Sequence, residues 1–138
     1  MDTATTPVLA KLTAIAPQFL VNDLGSSVEY YCRRLGFVLD FTHDGFYASV
    51  SRDGCAIHLK EAPKTEADRA HRRQHEHLDA HIAVRNATAL HGELLSRGAR
   101  ITRPLDDRPW ACRDFYVEDP DGYILCFSEP TGATSTAG

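Results

Sequence analysis

Phe19–Leu39 reads FLVNDLGSSVEYYCRRLGFVL, and Ile82–Thr102 reads IAVRNATALHGELLSRGARIT. Each runs from a short apolar strand through Asp or Asn into a helix, then past an Arg and a Gly into another strand. Gly36 and Gly98 fall just beyond the two helices, where a left-handed C-terminal cap favours glycine. Ser26-x-x-Glu29 fits a capping box for the first helix. Val28, Tyr31, Cys32 and Leu35 recur at i, i+3, i+4 and i+7, which marks one buried stripe. Ala87, Leu90 and Leu94 repeat that stripe. The chain therefore contains one supersecondary unit twice.

After each helix the period changes to strict alternation. Asp53-Gly54 is a two-residue hairpin signal. With that loop Val50 faces Ile57 and Ala48 faces Leu59, so these four share a face, with Phe46 and Cys55 beside them. Tyr47, Ser49, His58 and Lys60 lie opposite. In the second half the chain turns at Asp119-Pro120-Asp121-Gly122. Phe115, Val117, Leu125 and Phe127 make the apolar face there, and Asp114, Tyr116, Ile124, Cys126 and Ser128 the other. Each half reads as β-α-β-β-β, an α+β class, with a helix over the apolar face of each sheet. The opposite faces are too rich in Tyr, His and Ser for a core, so they either meet water or line a cavity. The expected organisation is a single domain over residues 1–138. Module one spans about 12–60, an exposed polar connector with some helix about 61–77, and module two about 78–130. Residues 1–10 and 131–138 are expected to be loose tails.

At 138 residues, 43% hydrophobic and 25% charged, the composition suits one soluble globular domain. No apolar run approaches the roughly 18 residues of a membrane helix. The opening MDTATTPVLAKLTAIAP lacks a basic n-region and Lys11 interrupts its apolar part, so no signal peptide is expected. These features suggest a cytoplasmic protein that does not engage a membrane. Four cysteines without CxxC spacing are expected to be free thiols. A net charge of −4 argues against a nucleic-acid partner. No phosphate loop or Ser-His-Asp pattern is present; RRLGF and SRGAR are helix ends.

VNDLGSSVEYYCRRLGFVLDF, RDGCAIHL and RPWACRDFYVEDPDGYILCF together resemble the glyoxalase/bleomycin-resistance/extradiol-dioxygenase superfamily, the vicinal oxygen chelate proteins, over about residues 12–130. The resemblance implies two βαβββ modules whose strands curl into a mixed-sheet cup with helices on the outer face, usually in a homodimer. Metal-using members hold a divalent ion in the cup with His and Glu from the first and last strands of each module. Those positions fall here on Ala16, His58, Asp79 and Cys126. Alanine has no donor. The other three are possible zinc ligands, but they do not make an octahedral Ni, Mg, Mn or Fe site. The resemblance is nearest to the metal-free, bleomycin-resistance-like branch, which sequesters a drug in an aromatic-lined cleft. The expected function is thus metal-independent binding of a small antibiotic-like ligand, with no cofactor. The alternative is a metal-dependent lyase, isomerase or dioxygenase with one divalent ion at a degenerate site of His58, Asp79 and Cys126, so the residues leave open whether this is an enzyme.

The candidate ligand-binding residues are Gln18, Tyr47, Ser49, His58, Asp79, Trp110, Tyr116 and Cys126. His58 either bonds a cross-strand neighbour or meets a ligand. His77, Asp79 and His81 share a strand face, but such residues stand about 6.5–7 Å apart, so all three cannot reach one ion. His71, His75 and His77 sit among connector charges and are expected to be solvated. Trp110 either packs on the sheet end or a dimer contact, or offers a stacking platform. Relatives often have Gly at the next position, where this chain has Ala111. Asp106, Asp107, Asp114 and Glu118 form an acidic set that would attract a cationic ligand or simply face water.

Overall fold

The structure is a computed structural model that describes residues 10–62, 70, 74 and 78–131. Most of the connector, including His71, His75 and His77, and nearly all of both tails lie outside the described residues. Module one comprises β1 (Gln18–Val21), α1 (Leu24–Glu29) running on as a π-helical turn (Tyr30–Arg34), β2 (Val38–His43), β3 (Tyr47–Arg52) and β4 (Cys55–Glu61). Module two comprises β5 (Ala80–Ala83), α2 (Ala87–Ser96), β6 (Arg100–Arg108), β7 (Cys112–Glu118) and β8 (Ile124–Pro130).

Each module forms one four-stranded mixed sheet, ordered β1-β4-β3-β2 and β5-β8-β7-β6. The first strand of each runs parallel to the last, and the other pairs are antiparallel. The crossover helix returns the chain to the far side of its own sheet. Alternation sets the register: Val50 pairs with Ile57 and Ala48 with Leu59, while Phe115 pairs with Phe127 and Val117 with Leu125. Asp53 and Gly54 both take positive φ, 51° and 82°, as a primed two-residue turn requires. Register shifts interrupt β2 at Leu39/Phe41 and β6 at Ile101/Arg103 and Arg103/Asp106. Such bulges bend a strand and deepen the curl of its sheet.

The helix stripes face inward: Tyr31, Leu35, Ala87 and Leu94 are buried. The start of α1 differs from the capping-box expectation. Asp23 is the N-cap, its carboxylate accepting from Ser26 N–H at 3.1 Å. The helix thus begins three residues before the box would place it, because a carboxylate one turn earlier already satisfies the free amides. Gly36 and Gly98 carry φ of 76° and 86°. A Cβ on Gly36 would lie 2.6 Å from Arg52 Nη1, and one on Gly98 2.7 Å from Arg34 Nη1, so each glycine also lets an arginine pass.

One hydrophobic cluster runs through both modules, from Phe19, Val21 and Tyr31 to Phe115, Leu125 and Phe127. Phe19 and Tyr123 stack across the boundary at 4.2 Å. The Asp119–Gly122 turn docks against module one instead of projecting into water. Asp121 accepts from Asn22 N–H and the Ser27 hydroxyl, Asp119 from the Tyr31 hydroxyl, and the Tyr123 hydroxyl from Leu20 N–H. Asp119 and Asp121 are accordingly buried. On the opposite side of the boundary Arg52 grips Glu93 with two bonds, at 2.8 and 3.0 Å.

Candidate functional site

The concave face of module one carries a connected polar and aromatic array. Gln18 lies beside His58 in the parallel β1–β4 register, and Ser49 faces His58 across β3–β4. Gln18 Nε2 donates to the Tyr47 hydroxyl at 3.1 Å, which is 2.8 Å from His58 Nδ1. Tyr47 can thus accept from Gln18 and give its single proton to the imidazole. The cross-strand bond open to His58 is therefore made, with Tyr47. Ser49 and Ser51 both donate to the Asp40 carboxylate, at 2.9 and 2.8 Å. The rings form a chain of edge contacts: Phe41 on His58, His58 on Tyr47, Tyr47 on Phe46, Phe46 on His43. Asp40, Phe41 and His43 were not anticipated from the sequence, and Phe46, expected beside the apolar face, is 39% exposed and packs its ring on His43 and Tyr47 instead. Phe41 and His43 stand directly opposite Ser49 and Tyr47 through a β2–β3 turn closed by Phe46 N–H to His43 O, a pairing not drawn from the sequence, and the bulge between Leu39 and Phe41 displaces only Asp40.

In module two the corresponding face holds Tyr116 and Cys126 as direct cross-strand partners, with His81 beside Cys126 on β5. Arg103 stacks its guanidinium on the Tyr116 ring at 5.3 Å. Unlike its counterpart, much of this face is closed: Asp114, Glu118, Cys126 and Ser128 are buried. The acidic set is no open negative patch. Asp114 is held by Arg108 at 2.6 Å, Asp106 by Arg108 at 3.7 Å, Asp107 by Arg113 at 2.7 Å and Glu118 by Arg100 at 4.0 Å. Interleaved arginines on β6 and β7 neutralise it.

Trp110 is 63% exposed in the β6–β7 turn, so it is not packed on the sheet end of its own chain. Ala111 after it has φ 63°, a left-handed conformation suited to glycine.

The positions where metal-using members of the resembled superfamily place ligands fit an ion poorly here. Ala16 supplies no donor. Asp79 immediately precedes β5, where its carboxylate accepts from Ile124 N–H at 2.9 Å and its own N–H donates to Ile124 O. Cys126 is buried between Tyr116 and His81, and without a metal that burial, with Asp114 nearby, pushes its thiol up to about 12. Within one chain, no three His, Cys, Asp or Glu side chains among the described residues are placed to share an ion.

Comparison with known proteins gives a consistent picture. Residues 12–127 match the family model described as Glyoxalase/Bleomycin resistance protein/Dioxygenase superfamily. No curated protein sequence matches the chain. Among solved structures, a glyoxalase/bleomycin resistance protein/dioxygenase from Nocardioides is 20% identical with a TM-score of 0.65, covering 91% of this chain and 88% of that one. The bleomycin-binding protein from bleomycin-producing Streptomyces verticillus, complexed with copper(II)-bleomycin, is 23% identical with a TM-score of 0.64, covering 90% and 99%. A glyoxalase-related enzyme from Clostridium phytofermentans is 19% identical with a TM-score of 0.69, covering 88% and 97%. At these identities the likeness is one of fold.

Proposed function

The chain belongs to the Glyoxalase/Bleomycin resistance protein/Dioxygenase superfamily, and we propose that it acts there as a homodimeric binding protein. It would hold a small antibiotic-like molecule on its concave faces without a catalytic metal. The observation that carries this reading is the state of the donors at the four metal positions. One is a methyl group, one a thiol buried between Tyr116 and His81, one a carboxylate engaged by backbone, and one an imidazole tied to Tyr47. The aromatic array of Phe41, Phe46, Tyr47 and His58 suits stacking against a flat ligand. Gln18, Ser49, Tyr116 and the exposed Trp110 would add polar and stacking contacts, with Asp79 and Cys126 shaping the floor. The bleomycin-binding relative supports the ligand class through its fold. Val38, Phe41 and Trp110, all exposed in the single chain, support self-association. A cytoplasmic location fits four free cysteines, and no described helix is long and apolar enough to cross a membrane.

Metal analysis of untagged protein tests this reading first, with well under one ion per chain expected. A stoichiometric ion that disappears in His58→Ala overturns it in favour of a metal-dependent lyase, isomerase or dioxygenase at His58, Asp79 and Cys126. Titration with metal-free bleomycin is expected to change Trp110 fluorescence and raise the melting temperature, since a ligand of the native state adds stability. No response in either at saturating ligand counts against the ligand class. Light scattering on a sizing column reads the dimer directly.

A further inference from the structure

A cavity of about 440 Å³ opens between the two modules, on the core side of both sheets and away from the concave faces. Its volume lies in the range of about 300–1,000 Å³ usual for small-molecule sites. The floor is apolar: Leu35 and Phe37 come from module one, Leu94 and Phe127 from module two. The wall between them is fixed by the Arg52–Glu93 pair. Arg52 also donates to Leu35 O at 2.8 Å, so its charge and donors are largely committed. Arg85, at the end of β5, also lines the cavity, and it makes no ion pair or hydrogen bond among the described residues. The first amides of α2 offer nothing to a ligand, because Glu129 accepts from Asn86 N–H at 3.1 Å and Ala87 N–H at 2.9 Å.

An apolar hollow with one uncommitted cation at its edge selects a particular chemistry. Asp53 and Glu93 also line the cavity, but both stand beside Arg52, at 3.8 and 2.8 Å, so Arg85 is the charge left to meet a ligand and it favours an anionic group. We infer that this cavity is a second ligand site, separate from the concave faces, for a small amphipathic carboxylate. The hydrocarbon part lies on Leu35, Phe37, Leu94 and Phe127, and the carboxylate pairs with Arg85 as a charge-assisted hydrogen bond. Because the lining comes from both modules, the bound acid would also tie them together.

Cys55 lines the cavity and is exposed, which supplies a native reporter. The full-length protein is titrated with octanoate and, as an uncharged counterpart, octan-1-ol. Melting temperature and the iodoacetamide alkylation rate of each cysteine, resolved by peptide mass spectrometry, are followed. Octanoate is expected to raise the melting temperature and slow Cys55 alkylation several-fold, with Cys112 unaffected. Arg85→Ala should weaken octanoate by about tenfold or more and leave octan-1-ol unchanged. Ala89→Trp, on an exposed helix position lining the cavity, should block both probes while keeping the unliganded melting temperature. Undiminished Cys55 alkylation at saturating octanoate overturns the inference. So does equal octanoate affinity in Arg85→Ala, or unimpaired binding in a folded Ala89→Trp protein. Bleomycin binding that survives Arg85→Ala keeps this result separate from the fate of the concave-face reading.

Discussion

Ala111 bears a cost that its chain position makes avoidable. Its φ of 63° puts the Cβ against the following carbonyl, at about 1–2 kcal/mol for a residue other than glycine. Its N–H donates to Arg108 O and its carbonyl accepts from Thr131 N–H, so the turn cannot relax without losing both bonds. Glycine here would remove the clash but add unfolded-state entropy worth about 0.4–1 kcal/mol. Ala111→Gly should therefore stabilise by about 0.5–1 kcal/mol and raise the melting temperature by a few degrees, readable by calorimetry. A lower melting temperature would mean the methyl group packs usefully. Cys126 carries a second expectation at this scale. With its thiol pushed to about 12, it should resist iodoacetamide at pH 8 in the folded protein, while Cys55 reacts. Fast native-state alkylation of Cys126 would show an ionised, accessible thiolate and reopen its use as a ligand. The face on which Cys126 lies was legible from alternation. Its burial was not, because its flanking partners, Tyr116 on β7 and His81 on β5, come from other strands and no local pattern reports how closely they cover it.

The Asp119–Gly122 turn and the end of α1 work as one unit. The π-helical turn has more residues per turn than the α-helix, which brings consecutive side chains closer to one side. Tyr30 and Tyr31 use this to reach module two together, Tyr30 donating to Glu118 O at 2.9 Å and Tyr31 to Asp119 at 2.8 Å. Asp119 also accepts from the N–H groups of Asp121 and Tyr123. Burial raises its carboxyl to about 7, outweighing the three hydrogen bonds that favour the anion. In the unfolded chain it titrates near 4, as an ordinary Asp does. Folding then takes up a proton between those values. The stability from the neutral carboxyl is complete below about pH 4 and is lost as pH rises through about 7, on the order of 4 kcal/mol at most. Chemical denaturation across pH 4–8 should show that fall, and Asp119→Asn should flatten it. An unchanged slope in Asp119→Asn would assign the effect elsewhere. Tyr31→Phe should cost about 1–3 kcal/mol and push Asp119 higher still, since it removes one of the bonds that lower it. The turn itself was plain in Asp-Pro-Asp-Gly. Its docking was not, because its partners stand 88 to 99 residues away in the chain and no local pattern reports them.

At the scale of the molecule, periodicity carried most of the architecture and long-range pairing carried the rest. Two copies of one unit, two hairpin turns and two inward stripes were enough to give the β-α-β-β-β order of each module and the register of its last hairpin, while the mixed sheets followed from the family resemblance. The concave face of module one was half legible. Tyr47, Ser49 and His58 follow from alternation, while Phe41 and His43 depend on pairing across the β2–β3 turn, which was not drawn from the sequence, and Asp40 sits at a bulge. Asp106, Asp107, Asp114 and Glu118 looked like an acidic patch because charge along a strand does not reveal which arginine each will meet. What neither repeat shows by itself is that the modules share one core. Each leaves apolar surface that only the other covers, as where Phe19 stacks on Tyr123. Two modules joined in this way should unfold as one cooperative unit. Native-state hydrogen exchange should then give amides in β1 and β8 the same opening free energy. Glu93→Ala, which breaks the Arg52 contact on the far side of the boundary, should lower both by a similar amount, about 1 kcal/mol for a partly exposed pair. Two distinct opening free energies, with module one amides unmoved by the substitution, would show that the modules open independently and that the shared core does not couple them.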